Sequence, residues 1–101
     1  MKYRVEVDDF ALQDLTDLDT RTREACLKRI VQLENDADIQ GKVLTDELFG
    51  YRALKLLNRQ YRVIYEVRKQ ADLVLVVVVG LRREGDKNDV YEIAKRRSGT
   101  A

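Results

Sequence analysis

Histidine and proline are absent from this 101-residue sequence, and cysteine occurs only once. Without histidine, a Ser/His/Asp triad and a Cys/His nucleophile pair are excluded, and a structural zinc site is disfavoured. The single Cys26 excludes an internal disulfide. No apolar run approaches the length of a membrane span, and the N-terminus alternates polar and apolar residues instead of forming a signal peptide. The sequence therefore predicts a cytoplasmic protein with no metal, no cofactor and no membrane partner.

The length predicts one domain that spans residues 1–101 and forms one core. The net charge is only +1, but the charges are distributed unevenly. Residues 1–50 hold seven Lys or Arg against twelve Asp or Glu, whereas residues 51–101 hold twelve against six. A cationic surface is therefore expected on the second half, and such a surface suits phosphate. The alternative is that these charges only solvate the surface.

Three short runs rich in β-branched and aromatic residues dominate the second half: Tyr51–Leu57, Tyr61–Val67 and Leu73–Val79. Short polar breaks separate the runs, which predicts a three-stranded antiparallel meander. The third run is apolar at every position, so it is predicted to be a central strand that is covered on both faces, with helices packed on one side.

The first half predicts a strand and two helices. Alternation over Lys2–Val7 is typical of a strand. A helix capped by Asp8 or Asp9 is predicted to end near Leu18. A second helix is predicted over Arg21–Asn35. The side chains predicted to face the core are Tyr3, Val5 and Val7 from the strand, Phe10, Leu12, Leu15 and Leu18 from the first helix, and Ala25, Cys26, Leu27, Ile30, Val31 and Leu33 from the second.

A polar link, 36–50, joins the second helix to the meander, and the residues expected to pin it to the core are Val43, Leu44, Leu48 and Phe49. Asp89 is predicted to cap a final helix over Val90–Arg97, and 98–101 is expected to fray. The order of elements, β-α-α-β-β-β-α, predicts a small α+β domain with a mainly antiparallel sheet. The N-terminal helical hairpin is predicted to pack on one face of that sheet.

The order of elements and three sequence segments resemble the RelE/ParE superfamily of bacterial toxins from type II toxin-antitoxin modules. The segments are Tyr61–Val67, Val79–Arg83 and Asp89–Arg97. The resemblance covers essentially the whole chain and is closer to the RelE branch. Members of that branch are ribosome-dependent endoribonucleases that cut mRNA in the ribosomal A site. Members of the ParE branch poison DNA gyrase and are not nucleases.

The resemblance implies a set of catalytic residues at matching positions. Lys55 matches a lysine on the strand before the central hairpin, and Arg62 matches the arginine of the sheet. Arg82 or Arg83 matches the arginine just after the last strand, and Tyr91 matches the C-terminal tyrosine. The loop before Tyr91 is longer than in the family pattern. This leaves open which arginine points inward and whether Tyr91 reaches the site.

This residue set fits RNA cleavage by the neighbouring 2′-hydroxyl, which needs a base, stabilisation of the extra phosphate charge and protonation of the departing 5′-oxygen. Cations that crowd a lysine favour its neutral form, so Lys55 is the candidate base. Arg62 and either Arg82 or Arg83 are expected to clamp the phosphate, because a guanidinium engages two oxygens at once. Tyr91 either stacks on a base or assists a proton transfer, and stacking is favoured.

Six further basic residues are candidates for RNA contacts: Arg52, Arg59, Lys87, Lys95, Arg96 and Arg97. Structural alternatives stay open beside these roles. Arg62 shares a strand face with Glu66 and could form an ordinary ion pair with it. Tyr91 could pack under the final helix. Arg96 and Arg97 could be solvated charges that complement the helix dipole.

The predicted function is that of a type II toxin: a metal-independent, ribosome-dependent mRNA endoribonuclease that inhibits translation. The predicted partners are the ribosome with mRNA in its A site and a cognate antitoxin, through which operator DNA is bound indirectly. The alternatives are a ParE-like gyrase inhibitor without nuclease activity and an inactive family member that only binds an antitoxin. The nuclease is favoured by retention of Lys55, Arg62, Arg82 or Arg83, and Tyr91. The near-neutral net charge counts mildly against docking on ribosomal RNA.

Overall fold

Residues 1–99 are described by the computed structural model, in which five strands form one sheet. The strands are β1 (Arg4–Val7), β2 (Lys42–Val43), β3 (Tyr51–Leu56), β4 (Tyr61–Arg68) and β5 (Leu73–Leu81). They lie in the order β1-β5-β4-β3-β2. β1 runs parallel to β5, and every other pair is antiparallel. The predicted meander of β3, β4 and β5 and the α+β class are therefore confirmed. The two-residue edge strand β2 lies inside the predicted polar link and was not predicted.

Three helices pack on this sheet: α1 (Asp9–Thr16), α2 (Thr20–Val31) and α3 (Val90–Ser98). Each begins after an aspartate whose carboxylate accepts a backbone N–H of the first turn, namely Asp8, Asp19 and Asp89. A 3₁₀ turn, Gln32–Glu34, continues α2 almost to its predicted end. Of the tail predicted to fray, Ser98 is the last residue of α3, and residues 100 and 101 lie outside the described part of the chain.

The helical hairpin of α1 and α2 covers one face of the sheet, as predicted. Its buried side chains pack on those of the sheet in one cluster: Tyr3, Ala11, Leu15, Cys26, Ile30, Leu33, Ala37, Leu54, Val63, Tyr65, Val74, Val76 and Val79. Burial raises the pKa of the Cys26 thiol to about 11, so Cys26 is a core residue and not a nucleophile. Among the helices of residues 1–99, none has the length and hydrophobicity that a bilayer crossing requires.

The predicted core face of α1 was wrong for two residues. Phe10 and Leu12 are 66% and 54% exposed, whereas Ala11 and Leu15 are buried. The small Ala11 lets α1 approach the sheet closely, so the small residue of the pair lies inside and the large one outside. Four more predicted core residues, on α2 and in the link, are exposed to solvent: Leu27, Val31, Val43 and Phe49.

The opposite face of the sheet is covered by α3 and by the link around Leu48, a second helical layer that the sequence analysis did not place. The buried side chains of this second cluster are Leu48, Ala53, Ile64, Val78, Val90 and Ala94. Helices therefore lie on both sides of β5, which explains why that strand is apolar at every position. The consequence for function is that α3 lies across the sheet face from which Lys55 and Arg62 project.

Candidate active site

Lys55 and Arg62 project from the sheet and form the floor of the candidate site. They are cross-strand partners in the β3–β4 pair, and Arg62 lies opposite Gly80 of β5. Arg62 is a buried cation, 7% exposed, whereas Lys55 is open to solvent. A buried charge needs several hydrogen-bonding partners, and those of Arg62 define the site.

Tyr91, in the first turn of α3, reaches Arg62. The Nε of Arg62 donates to the Oη of Tyr91 at 3.1 Å. The Nη1 of the same guanidinium donates to the backbone carbonyls of Arg59 and Tyr61. Because the Tyr91 oxygen accepts from a cation, its own hydrogen is free for another acceptor. The alternative ion pair between Arg62 and Glu66 does not form, since Glu66 binds Arg68 instead.

Arg82 is the arginine that lies against Tyr91. Its Cζ is 5.0 Å from the centre of the Tyr91 ring, a cation–π arrangement. Its backbone N–H donates to the carbonyl of Gln60 at 2.7 Å, which holds the end of β5 to the β3–β4 turn. The side chain of Arg83 is exposed, and only its backbone N–H joins this network, through Asp89. The cluster therefore contains Arg62, Arg82 and Tyr91.

Asp89 holds this cluster together and is 1% exposed. Its carboxylate accepts from the Nη1 of Arg82 at 2.7 Å and from the backbone N–H groups of Arg83 and Tyr91. Burial alone raises the pKa of Asp89, but the hydrogen bonds from Arg82 and the two N–H groups outweigh it, so the pKa lies below its ordinary value. The sequence showed Asp89 only as a helix cap, and no local pattern reveals its bond to Arg82.

Replacing Asp89 with asparagine is expected to destabilise the fold by about 1 to 3 kcal/mol near neutral pH. Asparagine still caps α3, so the loss comes from the ion pair with Arg82. Because the pKa of Asp89 is lowered in the folded state, its stabilisation is complete above the unfolded carboxyl pKa of about 3.9 and is lost as pH falls through the lowered value. Urea unfolding of both proteins at about pH 7 and about pH 3 measures this difference. Equal stability at about pH 7 would contradict it; Asp86→Asn, in the exposed loop, is the control.

Two of the candidate RNA contacts lie away from the cluster. Arg52 is on the other face of β3 and donates from its Nε to the carbonyl of Gln40 at 2.7 Å. Arg97, at the far end of α3, binds Asp14 of α1 with two hydrogen bonds of 2.8 Å. Both arginines hold parts of the fold together.

The remaining candidates lie nearer the cluster. Arg59 is exposed in the β3–β4 turn, directly beside Arg62. Lys95 pairs with Glu92 at 3.1 Å, and Arg96 donates to the carbonyl of Lys87 at 2.8 Å.

The loop before Tyr91 forms one wall of a cavity of about 410 Å³ beside Arg82. The lining residues are Arg82, Gly85, Asp86, Lys87, Asp89 and Glu92. The loop lies beside the cluster, and it does not separate Tyr91 from Arg62.

Fold and cluster together define a class of protein: a small α+β domain whose sheet and last helix bring cations around one tyrosine. The mRNA interferase toxin RelE of Escherichia coli K12 is 29% identical over 97 residues, which cover 96% of this chain and 98% of that protein. A mutant of E. coli RelE in the free state has a TM-score of 0.75 and 27% identity, covering 96% of this chain and 98% of its own.

A second solved structure, the toxin-antitoxin complex RelBE2 from Mycobacterium tuberculosis, contains a chain with a TM-score of 0.74 and 25% identity, covering 81% of this chain and all of that one. No family model matches the sequence. The similarity in sequence and fold, over nearly the whole length of both proteins, supports a RelE-like toxin, as the resemblance implied.

Proposed function

We propose that this protein is a RelE-like toxin, an mRNA endoribonuclease that cuts in the ribosomal A site and so inhibits translation. The observation that carries the proposal is the contact between Arg62 and the Tyr91 hydroxyl, with Arg82 against the same ring. Two cations and a phenol thus converge beside the exposed Lys55. The relative from E. coli named as an mRNA interferase toxin supports the same function.

The chemistry is an attack of the 2′-hydroxyl on the adjacent phosphorus. Lys55 takes the proton of the 2′-hydroxyl, and the new P–O bond forms as the bond to the 5′-oxygen breaks. Arg82 and the unengaged Nη2 of Arg62 stabilise the negative charge that grows on the phosphate oxygens. Tyr91 gives its free hydrogen to the departing 5′-oxygen. The products are a 2′,3′-cyclic phosphate and a 5′-hydroxyl.

Proton donation suits Tyr91 better than base stacking, which the sequence had favoured. Arg82 covers one face of the ring at 5.0 Å, so a base is limited to the other face. The hydroxyl oxygen already accepts from Arg62, so its own hydrogen is left for another acceptor. The proposed role therefore depends on the hydroxyl and not on the ring.

The proposed partners are the ribosome and a cognate antitoxin. The RelBE2 structure is a toxin-antitoxin complex, which supports an antitoxin partner. The proposed antitoxin covers the cationic cluster and links the pair to operator DNA. The ribosome would supply much of the substrate orientation, which in well-aligned reactions is worth roughly 7 to 11 kcal/mol. Free mRNA is accordingly expected to be a poor substrate.

Toeprinting on a defined mRNA in programmed ribosomes tests this function. We expect a new 5′ end inside the A-site codon when the protein is added, and no cut in the same mRNA without ribosomes. Protein that still arrests growth in cells but makes no cut would contradict the proposal. A DNA-cleavage assay with gyrase would then test the ParE-like alternative.

A further inference from the structure

The attachment of α3 to the rest of the fold determines where Tyr91 lies. Only Val90 and Ala94 of this nine-residue helix are buried. Its N-terminal end is held by Asp89 and Arg82, as described above. Its C-terminal end is held by Arg97, through a bridge to α1 on the other side of the sheet. An element with so few buried apolar side chains depends strongly on its end contacts.

The bridge is a bidentate ion pair between Arg97 and Asp14. Both distances are 2.8 Å, and the side chains are 25% and 17% exposed. The hydrogen bond to Asp14 raises the pKa of Arg97, which is therefore always charged. The Arg97 Cζ also lies 5.4 Å from the centre of the Phe10 ring, a cation–π contact that adds to the attachment of α3 to α1.

The same bridge completes the edge of β5. The strand β1 ends at Val7, which pairs with Val76, so the next residues of β5 pair with β4 on one side and lack a strand on the β1 side. The Asp14 carboxylate accepts from the backbone N–H of Val79 at 3.0 Å, and Arg97 donates to the carbonyl of Val77 at 2.9 Å. Asp14 therefore joins α1, β5 and α3 at one point, and no residue of the candidate active site takes part.

We infer that Asp14 is a positioning residue for Tyr91, an inference that rests on the proposed function. Tyr91 lies six residues before Arg97, about 9 Å along the helix axis. When the far end of α3 is released, the helix can tilt about its Asp89 end, and the contact between the Tyr91 hydroxyl and Arg62 loosens. A displacement of about 1 Å far from the chemistry can lower a rate by about a hundredfold.

The test is Asp14→Asn, which keeps the shape of the side chain and removes its charge. We expect kcat for ribosome-dependent cleavage to fall by about tenfold to a hundredfold with little change in KM. Hydrogen exchange of the α3 amides should accelerate while that of β4 stays slow. Asp17→Asn is the matched control: it neutralises an exposed carboxylate at the C-terminal end of α1. This change should leave both measurements unchanged.

A double-mutant cycle separates positioning from a general loss of stability. Arg97→Gln should reproduce the fall in kcat, and the double variant with Asp14→Asn should lose no more than either single one. Unchanged kcat in Asp14→Asn, or losses that add in the double variant, would overturn the inference. If the wild-type protein itself makes no cut, the proposed function fails, and that result is distinct from either outcome of the cycle.

Discussion

Replacing Arg62 with alanine is expected to lower ribosome-dependent cleavage by about a hundredfold to a thousandfold. Arg62 is the one cation of the cluster that is both buried and bonded to the Tyr91 hydroxyl. Alanine removes a phosphate-binding group and the donor that orients Tyr91. The rate of appearance of the A-site cut, at saturating ribosomes, measures the loss. Arg62→Lys keeps the charge but not the planar fork, so it should recover only part of the rate.

The matched control is Arg68→Ala, at the exposed end of the same strand. Arg68 pairs only with Glu66 and lies away from Tyr91, so cleavage should remain near the wild-type rate. The partly buried carbonyl partners of Arg62 lose a donor in Arg62→Ala, which we expect to cost about 1 to 3 kcal/mol of stability. Urea unfolding therefore accompanies the rate measurement. A folded Arg62→Ala protein that cuts at the wild-type rate would remove Arg62 from the mechanism.

The strands and helix starts were predictable because their signals are local. β-branched runs bounded by polar breaks define β3, β4 and β5, and an aspartate before each helix supplies its first hydrogen bond. The inward face of α1 was not predictable in this way. Hydrophobicity favours Phe10 over Ala11, but the close approach of the helix to the sheet selects the smaller side chain. That approach is a property of the packed fold and not of the segment.

The candidate site was only partly predictable, since its residue types came from the resemblance and its contacts come from the fold. The choice of Arg82 over Arg83 as the neighbour of Tyr91 follows from the carboxylate of Asp89. The bridge between Asp14 and Arg97 joins residues 83 positions apart, a separation that no periodic pattern encodes. Charge counting also overstated the free cationic surface, because several arginines of the second half bind carbonyls or carboxylates within the protein.

Replacing Tyr91 with phenylalanine distinguishes the two roles that this residue can have. Phenylalanine keeps the ring under Arg82 and any stacking on a base, but it lacks the hydroxyl that contacts Arg62. If Tyr91 donates the proton to the departing 5′-oxygen, cleavage should fall by about a hundredfold or more. A rate within a few fold of wild type would instead support stacking. Tyr61→Phe is the control: Tyr61 contacts Arg62 only through its backbone carbonyl, which phenylalanine keeps, so the rate should be unchanged.

The leaving group provides the decisive measurement for the same residue. A sulfur in place of the bridging 5′-oxygen departs without protonation, because a thiolate is a much weaker base than an alkoxide. Tyr91→Phe should therefore cut this modified mRNA at nearly the wild-type rate, although it cuts the ordinary mRNA slowly. Arg62→Ala should stay slow on both substrates, since the phosphate charge that Arg62 stabilises develops in either case. Equal defects of Tyr91→Phe on the two substrates would show that the hydroxyl acts on the phosphate or on Arg62 and not on the leaving group.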